Sequence, residues 1–277
     1  KRMEVRIAIA GVGGKMGRTL IEQIALSEGV TLVGGIEQRA SSLIGRQLSE
    51  LSESSKVSGP ISDRVEGIPE FDVLIDFSVP EASLEHLSEC ARINKSIVVG
   101  TTGFSKDQLL GVQSASQKIA VVHAHNYSVG LTLLLDLVER ASTSLGDEAD
   151  VEILEMHHNQ KVDAPSGTAY ALLESVKAGQ AQPQVVHGRQ GLVGQRQQGE
   201  VGLHAVRGGD VVGEPHVIFA MAGERIELTH RAHSRLNFAE GALRACKWVY
   251  QQPSPGLFDM RDVLVMRSQG LGISQGK

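Results

Sequence analysis

Two kinds of apolar pattern alternate along the first 126 residues: short continuous runs and longer stretches with helical spacing. Short, nearly continuous apolar runs predict buried strands at residues 5–11, 31–37, 72–77, 96–100 and 119–123. Apolar residues at helical spacing predict helices between them, at residues 16–27, 80–94 and 106–117. This alternation indicates βαβ units, and therefore a doubly wound parallel sheet with helices on both faces.

The pattern changes from residue 129 onward. An apolar helix is predicted to about residue 145, followed by a strand at 150–156, a polar loop and a helix near Thr168. Apolar and polar residues then alternate in three further strands, at residues 200–206, 216–221 and 225–230. They predict a second, α+β domain with a mixed, largely antiparallel sheet. We expect one face of that sheet to pack against another subunit, and the Gln- and Gly-rich residues 180–199 to form a loop.

Composition and charge narrow the class of protein. The formal net charge of −5 argues against general affinity for nucleic acid, which requires an excess of Lys and Arg on one face. No apolar run approaches the roughly 20 residues that cross a bilayer, so we expect no membrane partner and a cytoplasmic location. Cys90 and Cys246 fall in helical patterns without metal-type spacing, which favours buried, reduced thiols.

A glycine-rich turn joins the first strand directly to a helix, which is the context of a Rossmann-like dinucleotide fingerprint. Glycines let the backbone turn tightly and approach a pyrophosphate, whose charge is met by the amides at the start of the helix. An ordinary tight turn is the alternative. The candidate cofactor-binding residues in this turn are Gly11, Gly13, Gly14, Lys15, Met16 and Gly17.

Two charged residues after the second strand bear on the choice of cofactor. Glu37 stands where a carboxylate accepts hydrogen bonds from the adenosine ribose, which favours NADH. Arg39 has the planar fork that suits the 2′-phosphate of NADPH. The choice between NADH and NADPH therefore stays open.

The carboxyl ends of the later strands are expected at the same edge of the sheet, which is where proteins of this fold bind their ligands. The fifth strand ends at the junction of the two domains, a common place for a ligand cleft. The further candidates for contact with the cofactor are Phe77, Gly100, Thr101, Thr102, His125, Asn126 and Tyr127.

Residues 155–169 concentrate the groups that can carry chemistry. Ser166, Gly167 and Thr168 open a helix, so backbone amides and the positive end of the helix dipole form a cradle for a carboxylate. Lys161 adds a positive charge, and His157 and His158 can exchange protons near neutral pH. Adjacent residues leaving a strand point in opposite directions, so one histidine faces the reaction while the other binds substrate or packs.

Two other interpretations of these residues stay open. A metal site is disfavoured because no cysteine lies nearby and adjacent histidines lack the i, i+4 spacing of a helical zinc site. A purely structural role in capping and surface contacts is not excluded by spacing alone.

Several motifs together resemble the 4-hydroxy-tetrahydrodipicolinate (dihydrodipicolinate) reductase family over nearly the whole chain. The most specific is Glu-x-His-His-x-x-Lys-x-Asp-Ala-Pro-Ser-Gly-Thr-Ala at residues 155–169. The others, in chain order, are the fingerprint at 11–17, Asp76-Phe77-Ser78, Gly100-Thr101-Thr102-Gly103-Phe104, Asn126-Tyr127-Ser128-Val129-Gly130 and Leu257-Phe258-Asp259-Met260.

The resemblance implies an NADH- or NADPH-dependent oxidoreductase that produces tetrahydrodipicolinate in the diaminopimelate route to lysine. It implies a dinucleotide-binding domain at residues 1–127, a substrate-binding and tetramerisation domain at 128–235, and a segment, 236–277, that returns to the first domain. A homotetramer and a small dicarboxylate substrate follow from the same resemblance.

The resemblance also implies individual roles. His157 matches the family's proton donor, and Lys161 a residue needed for substrate binding and proton transfer. The positions that match substrate-carboxylate ligands are His158, Gly167, Thr168 and Arg235, to which Ser166 is added from its place at the helix start.

Two departures weaken the case for NADPH. Relatives that bind it well commonly have Arg directly after the position of Glu37, where this chain has Gln38. A position near Val79 that is often basic is aliphatic here. The alternative functions are another amino-acid-pathway dehydrogenase of the homoserine type, and a dinucleotide-sensing protein without turnover.

Overall fold

The structure is a computed structural model that describes residues 4–180 and 182–269. The described residues form two compact units, the first from residues 4–129 with 236–269 and the second from residues 130–180 with 182–235. Strands and helices are numbered in chain order in both units.

The first unit is built on a seven-stranded parallel sheet with the strand order β12-β6-β5-β4-β1-β2-β3. Its strands are β1 (Val5–Ala10), β2 (Val30–Ile36), β3 (Ile61–Ser62), β4 (Val73–Asp76), β5 (Ser96–Val99), β6 (Ala120–His123) and β12 (Gly256–Phe258). Its helices are α1 (Lys15–Leu26), α2 (Pro80–Arg92), α3 (Lys106–Ser116), α6 (Leu236–Val249) and α7 (Met260–Gln269).

Buried apolar side chains cover both faces of this sheet, as a parallel sheet requires. Residues that alternate along β1 enter different clusters: Ile7 and Ile9 pack with helices α1 and α6, and Ala8 packs on the opposite face. The predicted doubly wound, Rossmann-like fold is confirmed.

Two strands of the sheet were not predicted from the hydrophobic pattern of the sequence. β3 is two residues long and β12 is three, so neither carries enough alternating positions for a strand signal. β3 pairs with the end of β2, Gly35 opposite Ile61, and β12 pairs with β6 at the other edge. β3 brings a loop to the end of β2 that the sequence does not reveal.

The second unit is a five-stranded mixed sheet, in the order β11-β10-β7-β9-β8, covered on one face by two helices. Its strands are β7 (Asp150–His157), β8 (Gln184–Val186), β9 (Glu200–Arg207), β10 (Glu214–Met221) and β11 (Glu224–Thr229). Its helices are α4 (Val129–Leu145) and α5 (Gly167–Val176). Val151 and Ile153 of β7 pack inward with Val138 and Leu172 from these helices.

The second sheet differs in two details from expectation. Two of its four strand pairings are parallel and two antiparallel, because α5 carries the chain from β7 back to strands that run beside it in the same direction. The stretch 180–199, predicted as a loop, contains the edge strand β8, which is too short to be recognised. Ala181 in that stretch lies outside the described residues.

Candidate functional site

Three of the glycines where β1 leads into α1 each have a different structural role. Gly11 has a φ of +77°, in the left-handed region that favours glycine. A Cβ at Gly17 would lie only 2.3 Å from the carbonyl oxygen of Gly11, so this glycine lets α1 pack tightly on β1. At Gly14, which precedes the helix, a Cβ would meet only one atom, at 3.2 Å. The turn is thus open on the side of Gly14, where a pyrophosphate would approach the helix.

Glu37 is held against this turn. Its Oε1 accepts a hydrogen bond of 2.8 Å from the amide of Gly13, and its Oε2 accepts one of 3.2 Å from the amide of Gln38. The sequence therefore places Glu37 correctly at the end of β2, and the structure adds a backbone partner that fixes its carboxylate beside the turn.

A cleft of about 1060 Å³ opens along the carboxyl edge of the first sheet. Its volume reaches the upper end of the range of roughly 300–1,000 Å³ for small-molecule sites. The predicted residues Gly11, Glu37, Arg39 and Phe77 line it. Its position at the strand ends, beside the glycine-rich turn to which Gly11 belongs, fits a dinucleotide.

Further lining residues come from the loop after β3 and from α2, and sequence reasoning did not select them. They are Asp63, Arg64, Val65, Glu66, Ala82, Leu84, Glu85, His86, Ser88 and Glu89.

A buried polar network joins the ends of β4 and β5 next to this cleft. The fully buried carboxylate of Asp76 accepts hydrogen bonds from the Ser78 hydroxyl at 2.5 Å and amide at 3.0 Å. Its Oδ2 lies 2.9 Å from Nδ1 of His86 on α2. The Thr101 hydroxyl accepts a hydrogen bond of 2.8 Å from Ser83. The buried Thr101 side chain thus holds two strand ends together, and only its backbone remains a candidate for cofactor contact.

The residues after β5 and β6 divide into buried and accessible ones. Tyr127 is buried, and its hydroxyl donates to the carbonyl oxygens of Val99 and Val122 at 2.8 and 3.1 Å. Its ring packs edge-on against Phe77, with 5.6 Å between centroids. A Cβ at Gly100 would lie 2.1 Å from the Phe77 ring, so this glycine makes room for that contact.

Three other predicted residues stay accessible at this edge. Thr102 and His125 are exposed, and Asn126 is half-buried. The side-chain oxygen of Asn126 accepts a hydrogen bond of 2.8 Å from the amide of Ser128, which fixes the turn at the end of the first unit.

In the second unit, the fully buried carboxylate of Glu155 on β7 organises the candidate chemical site. Arg207, at the end of the neighbouring β9, donates to both its oxygens at 2.9 and 2.8 Å. The amide of Ser166 donates to Oε1 at 3.0 Å, and Nδ1 of His157 lies 2.5 Å from Oε2. One carboxylate thus joins two strands and the start of α5.

The pKa of Glu155 is lowered from its usual value. Burial by itself would raise the pKa, but the hydrogen bonds from Arg207, His157 and the Ser166 amide outweigh it. Glu155 is therefore a carboxylate at neutral pH. Arg207 was missed in the sequence because the parallel pairing of β7 with β9, His157 opposite Arg207, joins residues fifty positions apart.

Glu155 also determines which nitrogen of His157 is available. A carboxylate only accepts hydrogen bonds, so Nδ1 of His157 carries the hydrogen that it donates to Glu155. The other nitrogen, Nε2, faces Gly213, where a Cβ would come within 3.1 Å. His157 thus presents Nε2 as the atom that can hold or release a proton.

The loop after β7 leads to a capped helix. Ser166 is the N-cap of α5, and its hydroxyl accepts a hydrogen bond of 3.2 Å from the Ala169 amide. Gly167 is exposed and a Cβ there would meet nothing within 4 Å, so the amides at the helix start are open to an anion. Lys161 in the same loop pairs with Asp163 at 2.8 Å.

The positions of His158 and Arg235 are described by backbone contacts nearby. The carbonyl oxygen of His158 accepts a hydrogen bond of 3.2 Å from the Lys161 amide, so its backbone shapes the loop. Arg235 is exposed, three residues after Ala232, whose amide donates to the carbonyl oxygen of Gly213 at 3.1 Å. The chain before Arg235 therefore runs beside the glycine that His157 faces.

Residues 4–180 and 182–269 contain no group of three or more His, Cys, Asp or Glu side chains arranged to hold a metal ion. Within the same residues, no helix combines the length and the apolar character of a membrane span.

Comparison with known protein families gives matches over both units. The family model described as dihydrodipicolinate reductase, N-terminus, matches residues 5–127, and the one described as dihydrodipicolinate reductase, C-terminus, matches residues 130–264.

Solved structures show the same similarity. Dipicolinate-bound dihydrodipicolinate reductase from Paenisporosarcina sp. TG-14 is 27% identical, with a TM-score of 0.75 over 93% of this chain and 98% of that one. An amine dehydrogenase from Mycobacterium smegmatis is 12% identical, with a TM-score of 0.59 over 91% and 94% of the two chains. A myo-inositol dehydrogenase from Corynebacterium glutamicum ATCC 13032 is 11% identical, with a TM-score of 0.56 over 91% and 90%. The last two share the fold alone.

Proposed function

The chain belongs to the dihydrodipicolinate reductase family, and from this premise we propose that it reduces 4-hydroxy-tetrahydrodipicolinate (dihydrodipicolinate) to tetrahydrodipicolinate with a nicotinamide dinucleotide, in the diaminopimelate route to lysine. The homoserine-type dehydrogenase and the dinucleotide sensor without turnover are not favoured, because the family models match both units of the chain.

One structural observation carries the proposal: the carboxylate of Glu155 joins His157, Arg207 and the start of α5 in a single hydrogen-bonded constellation. It fixes a proton-bearing ring beside a helix start and a lysine-bearing loop. These are the groups needed to bind an acidic substrate and to protonate it.

The first unit supplies the residues that would bind the dinucleotide. Gly11 and Gly14 lie in the turn that would receive the pyrophosphate, Met16 lies in the first turn of α1, and Glu37 stands beside them where the adenosine ribose would bind. When bound, the reduced nicotinamide supplies the hydride. Whether NADH or NADPH is used depends on the charged groups near the adenosine ribose.

The second unit supplies charge for a dicarboxylate. Lys161, Arg235 and the amides of Gly167 and Thr168 would bind the two carboxylates, with His158 as a further contact. The dipicolinate in the Paenisporosarcina structure is a planar dicarboxylate of this type, and it supports the assignment of substrate class. Lys161 would exchange its present partner, Asp163, for a substrate carboxylate.

His157 would deliver the proton. Reduction of the ring leaves an electron-rich position that must be protonated, and Nε2 of His157 is the nitrogen left available when Nδ1 donates to Glu155. The Glu155 carboxylate fixes the orientation of the ring, as a second residue behind a catalytic histidine commonly does.

A homotetramer would be formed by the face of the second sheet that α4 and α5 leave uncovered. The register of β7, β9 and β10 directs Leu154, Val206 and Ile218 to that face, where such apolar residues favour association of subunits. Light scattering after gel filtration would give the mass of four chains, and the mass of one chain would exclude the proposal.

A coupled assay tests the reaction directly. Substrate would be generated enzymatically, and the loss of nicotinamide absorbance followed with NADH and with NADPH. We expect oxidation that requires the substrate and that falls on the order of a hundredfold in His157→Asn, with His187→Asn as the control. Cofactor oxidation with an aldehyde or ketone substrate but none with dihydrodipicolinate would reject the proposal.

A further inference from the structure

Beside the glycine-rich turn, the short strand β3 delivers two charged residues that the hydrophobic pattern of the sequence did not connect with the cofactor. Ile36 of β2 is paired with Ser62 of β3, and the Glu37 amide donates to the carbonyl oxygen of Ser62 at 2.9 Å. The residues that follow each strand therefore emerge side by side. Arg39 follows β2, and Asp63 and Arg64 follow β3.

Asp63 links the two arginines. Its Oδ1 accepts a hydrogen bond of 3.1 Å from Nε of Arg64, and its Oδ2 lies 3.5 Å from Nε of Arg39. The Asp63 side chain is 22% exposed, whereas those of Arg39 and Arg64 are 87% and 64% exposed. Both contacts use Nε, and both side chains are largely exposed, so the amino groups at the end of each guanidinium can donate to a phosphate.

The charges near the ribose position explain why Arg64 matters. Glu37 and Asp63 are acidic, so Arg39 alone would leave this end of the cleft with an excess of negative charge, which opposes a phosphate. Arg64 balances the two carboxylates. Three other acids line the cleft, and two of them, Glu66 and Glu89, share Arg92 on α2, whereas Glu85 lies on that helix as well.

We infer that Arg64, together with Arg39, binds the 2′-phosphate of NADPH, with Asp63 orienting both guanidinium groups, so that the chain accepts NADPH as well as NADH. The inference rests on the proposed dinucleotide site and adds Arg64 as the residue that decides its specificity. Gln38 stands where relatives that bind NADPH well commonly have arginine. Arg64 would replace that guanidinium from the segment that follows β3, the strand paired with β2.

Binding of two fragments that differ only in one phosphate tests this inference without any catalysis. Calorimetric titration would compare 2′,5′-ADP with 5′-AMP on the full chain. Arg64→Gln is expected to weaken binding of 2′,5′-ADP on the order of tenfold, since charge-assisted hydrogen bonds to phosphate are lost, and binding of 5′-AMP by less than about twofold. Arg39→Gln is expected to act in the same direction.

Arg140→Gln is the matched control. Arg140 is an exposed arginine paired with Asp136 at 2.9 Å in the second unit, so its substitution changes the net charge equally and should leave both affinities unchanged. Equal weakening of both ligands by Arg64→Gln, or no weakening of either, would overturn the inference. If the unsubstituted chain bound 5′-AMP but not 2′,5′-ADP, the inference alone would be overturned. If it bound neither fragment, the proposed dinucleotide site would be removed as well.

Discussion

Replacing Glu155 by glutamine would test the constellation on which the chemical site depends. Glu155 accepts four hydrogen bonds, two through each oxygen, and its carboxylate is fully buried. Glutamine retains one oxygen and turns the other into an amino group. Whichever way the amide is oriented, one Arg207 donor and one further donor, from His157 or Ser166, then face an amino group.

The magnitude follows from these contacts. Each unsatisfied buried donor costs about 1–3 kcal/mol, and a buried ion pair that loses one partner costs roughly 3–5 kcal/mol. We therefore expect Glu155→Gln to lower the free energy of unfolding of the second unit by about 3–5 kcal/mol. Because His157 loses the acceptor that selects its tautomer, kcat is expected to fall on the order of a hundredfold.

Urea unfolding followed by circular dichroism, together with steady-state kinetics, would check both effects. Glu174→Gln is the matched control. Glu174 is exposed and pairs with Lys177, the C-cap residue of the same helix, and such a surface pair contributes at most about 1 kcal/mol to the free energy of unfolding. If Glu155→Gln unfolded within about 0.5 kcal/mol of the unsubstituted chain, the carboxylate would not organise this site.

Three further predictions concern substrate, cofactor and acid stability. Lys161→Ala is expected to lose on the order of a hundredfold in kcat/KM, whereas the control Lys177→Ala should keep nearly the kcat/KM of the unsubstituted chain. A nearly unchanged kcat/KM in Lys161→Ala would remove Lys161 from the mechanism. In Gly14→Ala the new Cβ would lie 3.2 Å from the nearest atom, so this variant is expected to keep the fold and to bind NADH about tenfold more weakly. In Gly17→Ala the new Cβ would lie 2.3 Å from the carbonyl oxygen of Gly11, so the melting temperature is expected to fall by several degrees. Equal melting temperatures of the two variants would contradict the packing argument. Burial would raise the pKa of Glu152, but Arg189, His204 and Arg196 lower it from 4.5 to about 2, so the stability that Glu152 contributes is present above pH 4.5 and is lost as the pH falls towards 2. Calorimetric scans should show this acid limb flattened in Glu152→Gln, and an identical limb would contradict the assignment.

The parts of the fold that carry long patterns were predictable from the sequence. The buried runs of the first sheet and the helices between them have enough positions to show their period, and the glycine-rich turn is recognisable because a strand precedes it and a helix follows. β3, β8 and β12 were missed because strands of two or three residues have no period to detect.

The candidate site was predictable only where its residues are close in sequence. Residues 155–169 carry Glu155, His157, Lys161 and the helix start within one segment. Arg207 and Arg64 depend on strand pairings between distant segments, β7 with β9 and β2 with β3, whose register no local pattern contains. Thr101 and Tyr127 were selected as ligand contacts from their place at strand ends; their side chains are buried and support the turns, so only their backbone groups remain candidates for that contact.

A crystal structure of the complex with pyridine-2,6-dicarboxylate and NADH tests the central claim most directly. The account predicts carboxylate oxygens within about 3 Å of the Gly167 and Thr168 amides and of Nζ of Lys161, with Arg235 on the second carboxylate. A dicarboxylate bound away from the start of α5, with Lys161 still on Asp163, would contradict it.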